Sequence, residues 1–302
     1  MSVTEPGAGA DQSDDEVAPE SQRELKEQWS EKLSPRLRWW FEILFVFAFY
    51  VVYTSIRNGL SAGPETTTLA LDHAQQVIDV EQWIGLFQEQ RIQEFFLPNT
   101  HFIRFWNVFY GTLHFAVTIF AMLWTYRRYP ARYPLWRNTL AVTTGLALIG
   151  FTLFPLMPPR LLDDMGPFGG GQSYGFVDTL AEVGGLWSFD SGTMAEISNQ
   201  FAAMPSLHFA WSLWCFFVLY RYLPWRWARV AIALYPWLTL FAIIVTGNHY
   251  WLDAVGGALA LAVGYLIARA FTLRMERWRA RRYLPTEPTP DPNVPAGRPG
   301  SG

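Results

Sequence analysis

Six stretches of this chain run almost without charge, and a polypeptide written that way is suited to lipid. They cover residues 39–56, 102–126, 135–157, 207–223, 227–246 and 250–273, and none holds more than two charged residues. At ~1.5 Å per residue a helix of such length crosses ~30 Å of hydrocarbon, the fourth stretch being the shortest. Inside a bilayer each backbone N–H and C=O must find its partner within the segment. The expected fold is therefore all-α: a polytopic membrane protein of six transmembrane helices. Trp39, Trp40, Trp124, Trp136, Trp225, Trp227 and Trp251 stand at the ends of these stretches, where an aromatic belt belongs.

The charges excluded from the six stretches collect around them. Residues 1–24 are acidic and polar with almost nothing to bury, and 284–302 are Pro-rich; both read as disordered, leaving 25–283 as the membrane domain. The N-terminus has no apolar core of a signal peptide. Eighteen of the 23 basic residues lie in 23–38, 127–137, 221–229 and 269–282, all on the side of the termini if there are six crossings. The positive-inside rule then puts both termini in the cytoplasm of a multi-pass cell-membrane protein. Arg137 reads as one of the orientation anchors. The single cysteine, Cys215, excludes an intramolecular disulfide and reads as a small apolar residue.

Two connections then face the outside. The first contains "LALDHAQQVIDVEQWIGLFQEQRIQEFF", with Ala74, Val77, Val80, Ile84, Phe87 and Ile92 at helical spacing. It reads as an extracytoplasmic amphipathic helix or helix pair along the interface, with an acidic polar face of Asp72, Asp79, Glu81, Glu89 and Glu94. His73 and His101 read as surface residues. The second, 158–204, is a long Gly-rich loop, and loops of this length are usually functional or disordered.

That topology gathers polar residues from distant elements at one membrane face. The third stretch ends there in "FPLMPPRLL" with Arg160, the fourth begins there with Ser206 and His208, and the sixth with His249 and Asp253. Ionisable groups at membrane depth are expensive, so several converging mark a site. His249 and Asp253 are four apart and share one helix face. A carboxylate accepting from one imidazole nitrogen leaves the other free as base or nucleophile. His208 can then supply or remove a proton. Pro205 and Ser206 suit a helix start whose amides and dipole favour an anion, and Arg160 suits bidentate phosphate binding. Two imidazoles, a carboxylate, a guanidinium and a helix N-terminus describe a phosphate-ester site better than a carbonyl site.

These pieces resemble the type 2 phosphatidic acid phosphatase superfamily of membrane lipid phosphatases and phosphotransferases. "AAMPSLH" is similar to its Pro-Ser-x-His element, "NHYWLD" to its His-x-x-x-Asp element and "MPPR" to its upstream arginine element, over roughly residues 100–260. Among its branches the chain looks most like the inositol phosphorylceramide synthase-like proteins. The resemblance implies His249 as the nucleophile that becomes phosphohistidine, Asp253 as its orienting partner, and His208 as the group that protonates the leaving alcohol and activates the acceptor. It implies no metal and no other cofactor, a phospholipid or polyprenyl-phosphate substrate, a water or alcohol acceptor, and no nucleic-acid partner. Three departures stand out: Ile243 replaces an Arg six residues before the nucleophile, Leu207 replaces the Gly of Pro-Ser-Gly-His, and no upstream Lys precedes Arg160. The transferase-like branch lacks that later Arg too, which favours transfer of a phospho-headgroup over hydrolysis.

Other polar residues have two readings. Tyr110 and His114 share a face of the second stretch and are similar to residues of the same branch, so they are candidates for substrate binding. Yet His114 is expected ~18 Å from the outer end, where a histidine bonded to a neighbouring helix is as natural. Asn199 and Asp178, in the long loop, order it or bind headgroups. The competing function is a non-catalytic lipid-binding membrane protein or a transporter. Transporters, however, show paired broken helices and midplane sites in two related halves, and neither pattern is evident here.

Overall fold

Prolines set several helix boundaries in the computed structural model, which describes residues 64–163, 174–185 and 201–283 together with positions 40, 42–44, 47, 48, 51 and 55. The expectations for residues 1–24, for most of the first stretch at 39–56, for Asn199 and for 284–302 lie outside the described residues. The chain divides into two compact units, Pro35–Met275 and the pair Met1–Ser34 with Glu276–Gly302. Of the second, only the last turns of one helix are described.

All regular elements among the described residues are helical. Helices α1 (Pro64–Trp83) and α2 (Glu89–Phe96) form the amphipathic pair. Helix α3 runs Thr100–Arg128 with one π-helical turn at Phe109–Leu113. Next come α4 (Tyr133–Leu153), the four-residue α5 (Thr179–Glu182), α6 (Leu207–Leu219), α7 (Arg226–Val245) and α8 (Trp251–Tyr283). Three of them are long and apolar enough to cross a membrane: α3, α7 and the Trp251–Trp278 part of α8. Helix α6, at 13 residues, is a shorter apolar helix.

Local chemistry explains where the boundaries depart from expectation. Helix α4 stops at Leu153 because Pro155 disfavours helix at Phe154. The next residues run extended: Leu156 N–H donates to the Phe201 carbonyl (2.8 Å) and Met157 N–H to that of Ala70 (3.1 Å). Helix α8 continues ten residues past the expected end, its added turns carrying Arg274, Arg277 and Arg279. Four hydroxyls within the apolar helices are satisfied locally. Thr125, Thr139, Thr144 and Thr239 each donate to the carbonyl one turn back, at 2.7–2.9 Å.

The amphipathic pair packs only partly as the sequence reading has it, Ala74 and Val77 being buried as expected. Its buried stripe is Ala70, Ala74, Val77 and Ile78, joined by Leu156, Met157, Leu161, Leu162, Phe176, Phe201 and Tyr250. Val80 and Ile84 are exposed, whereas Glu81 and Glu89, expected on the polar face, are fully buried. His73 is no free surface residue either: it stacks on Phe154 at 3.9 Å and its Nδ1 lies 2.8 Å from the Pro155 carbonyl. Arg137 does more than face a membrane surface, since its Nη1 meets both oxygens of the buried Glu42 carboxylate at 2.6 and 2.8 Å.

Candidate active site

Where α7 ends, the chain must reverse within a few residues to start α8. The Thr246 hydroxyl donates to the Ala242 carbonyl at 2.6 Å, and Gly247 takes φ +67°, a conformation open chiefly to glycine. A Cβ at Gly247 would come within 2.8 Å of Gln93 Nε2 and 3.3 Å of Arg160 Cβ, so the turn also needs the missing side chain. It delivers Asn248, His249 and Tyr250, all buried, to the start of α8.

His249 Nδ1 lies 3.1 Å from Asp253 Oδ2, one turn on. That oxygen also accepts the Tyr250 N–H at 3.0 Å. An oxygen accepting from both sides assigns the hydrogen to Nδ1 and leaves a lone pair on Nε2. The next two N–H groups of α8 go to carboxyls from the amphipathic pair: Trp251 to Glu89 Oε1 (3.3 Å) and Leu252 to Glu81 Oε1 (2.7 Å).

Helix α6 begins against this turn. Ser206 is its N-cap, its hydroxyl accepting from Phe209 N–H at 3.4 Å, while its own N–H donates to the Asp253 carbonyl at 2.9 Å. The close approach requires Gly257, since a Cβ there would sit 2.4 Å from the Ser206 carbonyl oxygen. Two residues into α6, His208 reaches a ring-centroid distance of 5.8 Å from His249.

Helix α3 adds the third side. Tyr110 stacks on His208 with centroids 4.1 Å apart and stands 6.5 Å from His249. The His114 ring is 4.3 Å from that of His208, and its Nδ1 lies 3.0 Å from the Tyr110 carbonyl. A carbonyl only accepts, so His114 also carries its hydrogen on Nδ1. The π-helical turn contains Tyr110 and ends just before His114, and such turns are frequent at functional sites. Of the two readings of His114, the structure places its ring beside His208 and bonds its Nδ1 within its own helix.

Arg160 follows α4 in a 3₁₀ turn, Pro159–Leu161. Its N–H donates to the Gly247 carbonyl at 2.8 Å, its Nε to Asn248 Oδ1 at 3.1 Å, and its Nη1 pairs with Asp178. Asp178 Oδ1 caps α5 through the Leu180 and Ala181 N–H groups, so this residue orders the loop. Gln93 ties the same loop to α2, exchanging two hydrogen bonds with the Val177 backbone at 2.9 and 3.0 Å.

Of the site residues expected from the sequence, His249, Asp253, His208, Ser206, Tyr110 and His114 therefore come together, and Arg160 joins them through Asn248. Sequence reasoning overlooked Asn248, the Asp178 partner of Arg160, and the contacts of Glu81 and Glu89. The register of Glu81, three and four residues after Ile78 and Val77 on the buried stripe, was the available signal. Residues 75–267 match the family described as the PAP2 superfamily. No curated protein and no solved structure matches the chain.

Proposed function

The chain belongs to the PAP2 superfamily, and from that premise we propose that it is a metal-independent membrane phosphotransferase acting on phosphorylated lipids through a phosphohistidine on His249. The observation that carries this reading is the pairing of His249, its tautomer fixed by Asp253, with His208 at 5.8 Å on another helix. That spacing leaves room for one phosphorus within ~3–3.5 Å of an attacking nitrogen.

In the first step His249 Nε2 attacks phosphorus and the bond from phosphorus to the leaving oxygen breaks. His208 gives that oxygen a proton, and Asp253 stabilises the charge gained by the His249 ring. In the second step His208 takes the proton of an incoming hydroxyl, whose oxygen attacks phosphorus as the P–N bond breaks. Arg160 and the start of α6 hold the phosphoryl oxygens, while Tyr110 and His114 keep the His208 ring in place. Asn199, from its place in the long loop before α6, is assigned to ordering that loop or binding the headgroup.

Transfer to an alcohol is favoured over hydrolysis by the weak cationic endowment of the site. Ile243, where related phosphatases have Arg, is fully buried, and the Arg160 charge is already matched by Asp178. Such a site suits the single charge of a phosphodiester better than the double charge of a phosphomonoester. This is the chemistry expected of the inositol phosphorylceramide synthase-like branch. The reading includes six spans over residues 25–283, disordered ends at 1–24 and 284–302, cytoplasmic termini and an extracytoplasmic site.

The test is purified protein in detergent supplied with a lipid labelled in its phospho-headgroup and an alcohol acceptor. Wild-type protein should release label to water or acceptor, and His249→Gln should lose at least about 10³-fold of the rate, as loss of a nucleophile does. Unimpaired turnover in that variant overturns the mechanism.

A further inference from the structure

Glu81 on α1 and Glu89 on α2 are both fully buried, yet among the described residues no Lys or Arg side chain pairs with either. One oxygen of each is occupied by an N–H of the first turn of α8. The second oxygen of each, Oε2, is buried without a donor from any other residue. The N–H groups they accept from are consecutive, which sets the two carboxyls side by side within each other's field. Two like charges that close do not both persist in a buried site, and a proton shared between the two free oxygens satisfies both.

We propose that Glu81 and Glu89 form a proton-sharing carboxyl pair that clamps the N-terminus of α8 and thereby positions His249 for reaction. The proposal rests on His249 being the nucleophile. Three consecutive N–H groups, of Tyr250, Trp251 and Leu252, are given to Asp253, Glu89 and Glu81 in turn. The helix that carries the His249–Asp253 pair is therefore held at its first turn by two elements outside the candidate spans. The residual negative charge of the pair sits at the positive end of the α8 dipole. A shift of ~1 Å at the reacting ring can lose ~10²-fold in rate, which is what the clamp prevents.

The groups facing Glu81 are Glu89 from α2, Asp253 from the first turn of α8, and Tyr250 just before it. Burial first, and then the hydrogen bond and charge of Glu89, push the Glu81 carboxyl up to about 10. Glu81 thus keeps its proton at neutral pH. As pH rises through about 10 it ionises beside the second carboxyl, and the first turn of α8 is released.

The test combines infrared spectroscopy with kinetics on the full chain in detergent. Wild-type protein should show a protonated-carboxyl band at neutral pH that disappears near pH 10 and is missing from Glu81→Gln. Glu81→Ala should lower kcat at least about tenfold with KM changed less than about threefold, since the reacting ring rather than the substrate is displaced. Glu81→Gln still accepts the Leu252 N–H and donates to Glu89. It should recover kcat to within about threefold and lose the alkaline fall in rate. Absence of the band, a Glu81→Ala effect confined to KM, or a Glu81→Gln as impaired as Glu81→Ala each overturns the proposal. Should Glu81→Ala not fold, the band and the Glu81→Gln pH profile still decide it. A band present alongside a fully active His249→Gln rejects the nucleophile reading and leaves the carboxyl pair standing.

Discussion

Arg160 is, among the described residues, the cation hydrogen-bonded into the histidine cluster, and its ion pair with Asp178 sets how strongly it can hold a phosphate. Both side chains are mostly shielded from water, at 16% and 20% exposure, so the pair is worth more than a surface one and more is lost in breaking it. Asp178→Asn separates this charge effect from the helix cap. An amide oxygen still accepts from the Leu180 and Ala181 N–H groups, and Asn caps about as well as Asp. Arg160 remains held by Asn248 and by its own N–H. The variant should bind inorganic phosphate or vanadate about three- to tenfold more tightly, with a lower thermal midpoint because the guanidinium has lost its partner. Isothermal titration of the two proteins reads this directly. Weaker binding would mean that the pair as a whole, and not the guanidinium, recognises the anion.

Between elements, the decisive contact is the one that lets α6 and α8 begin side by side. Gly257→Ala puts a methyl 2.4 Å from the Ser206 carbonyl, a backbone atom that cannot turn aside. Overpacking of this kind costs about 1–3 kcal/mol and should part the two histidines. We expect a lower thermal midpoint in detergent and at least about tenfold slower turnover. Gly145→Ala on α4, where a Cβ meets nothing within 4 Å, should instead be neutral or slightly stabilising. Contacts like these mark the limit of what the sequence discloses. The helical class, the start of α6 at Ser206 and the His249–Asp253 pair follow from spacing alone, because each is set by neighbours within one turn. The burial of Glu81 does not. Glu81 reads as solvent-facing by type, and the opposing Leu252 N–H of α8, 171 residues away, makes its burial tolerable. The place of His114 stays open in the sequence for a similar reason, since its contact with His208 depends on where α6 begins.

Taken over the whole molecule, the short α6 reconciles a membrane face with a site reaching well down α3. Its 13 residues extend only about 20 Å, less than the ~30 Å hydrocarbon core, so its N-terminus can lie below the surface. A site built on that N-terminus lies beside Tyr110 and His114 of α3, and on the function proposed above a lipid headgroup would descend to it. The starts of α6 and α8, the end of α7 and the residues after α4 all meet at this end of the bundle. The α3–α4 turn at the other end carries Arg127, Arg128 and Arg132. The charge asymmetry argues that the basic end is cytoplasmic. Thr100 at the start of α3 and Ala131 in the turn are both exposed, and they fall on opposite sides in this arrangement. With Cys215 replaced by Ala, a cysteine at position 100 should react with a membrane-impermeant maleimide on intact cells. One at position 131 should react only after permeabilisation. The reverse pattern would put the histidine cluster on the cytoplasmic side, and the lipids offered to the site would then be those of the inner leaflet.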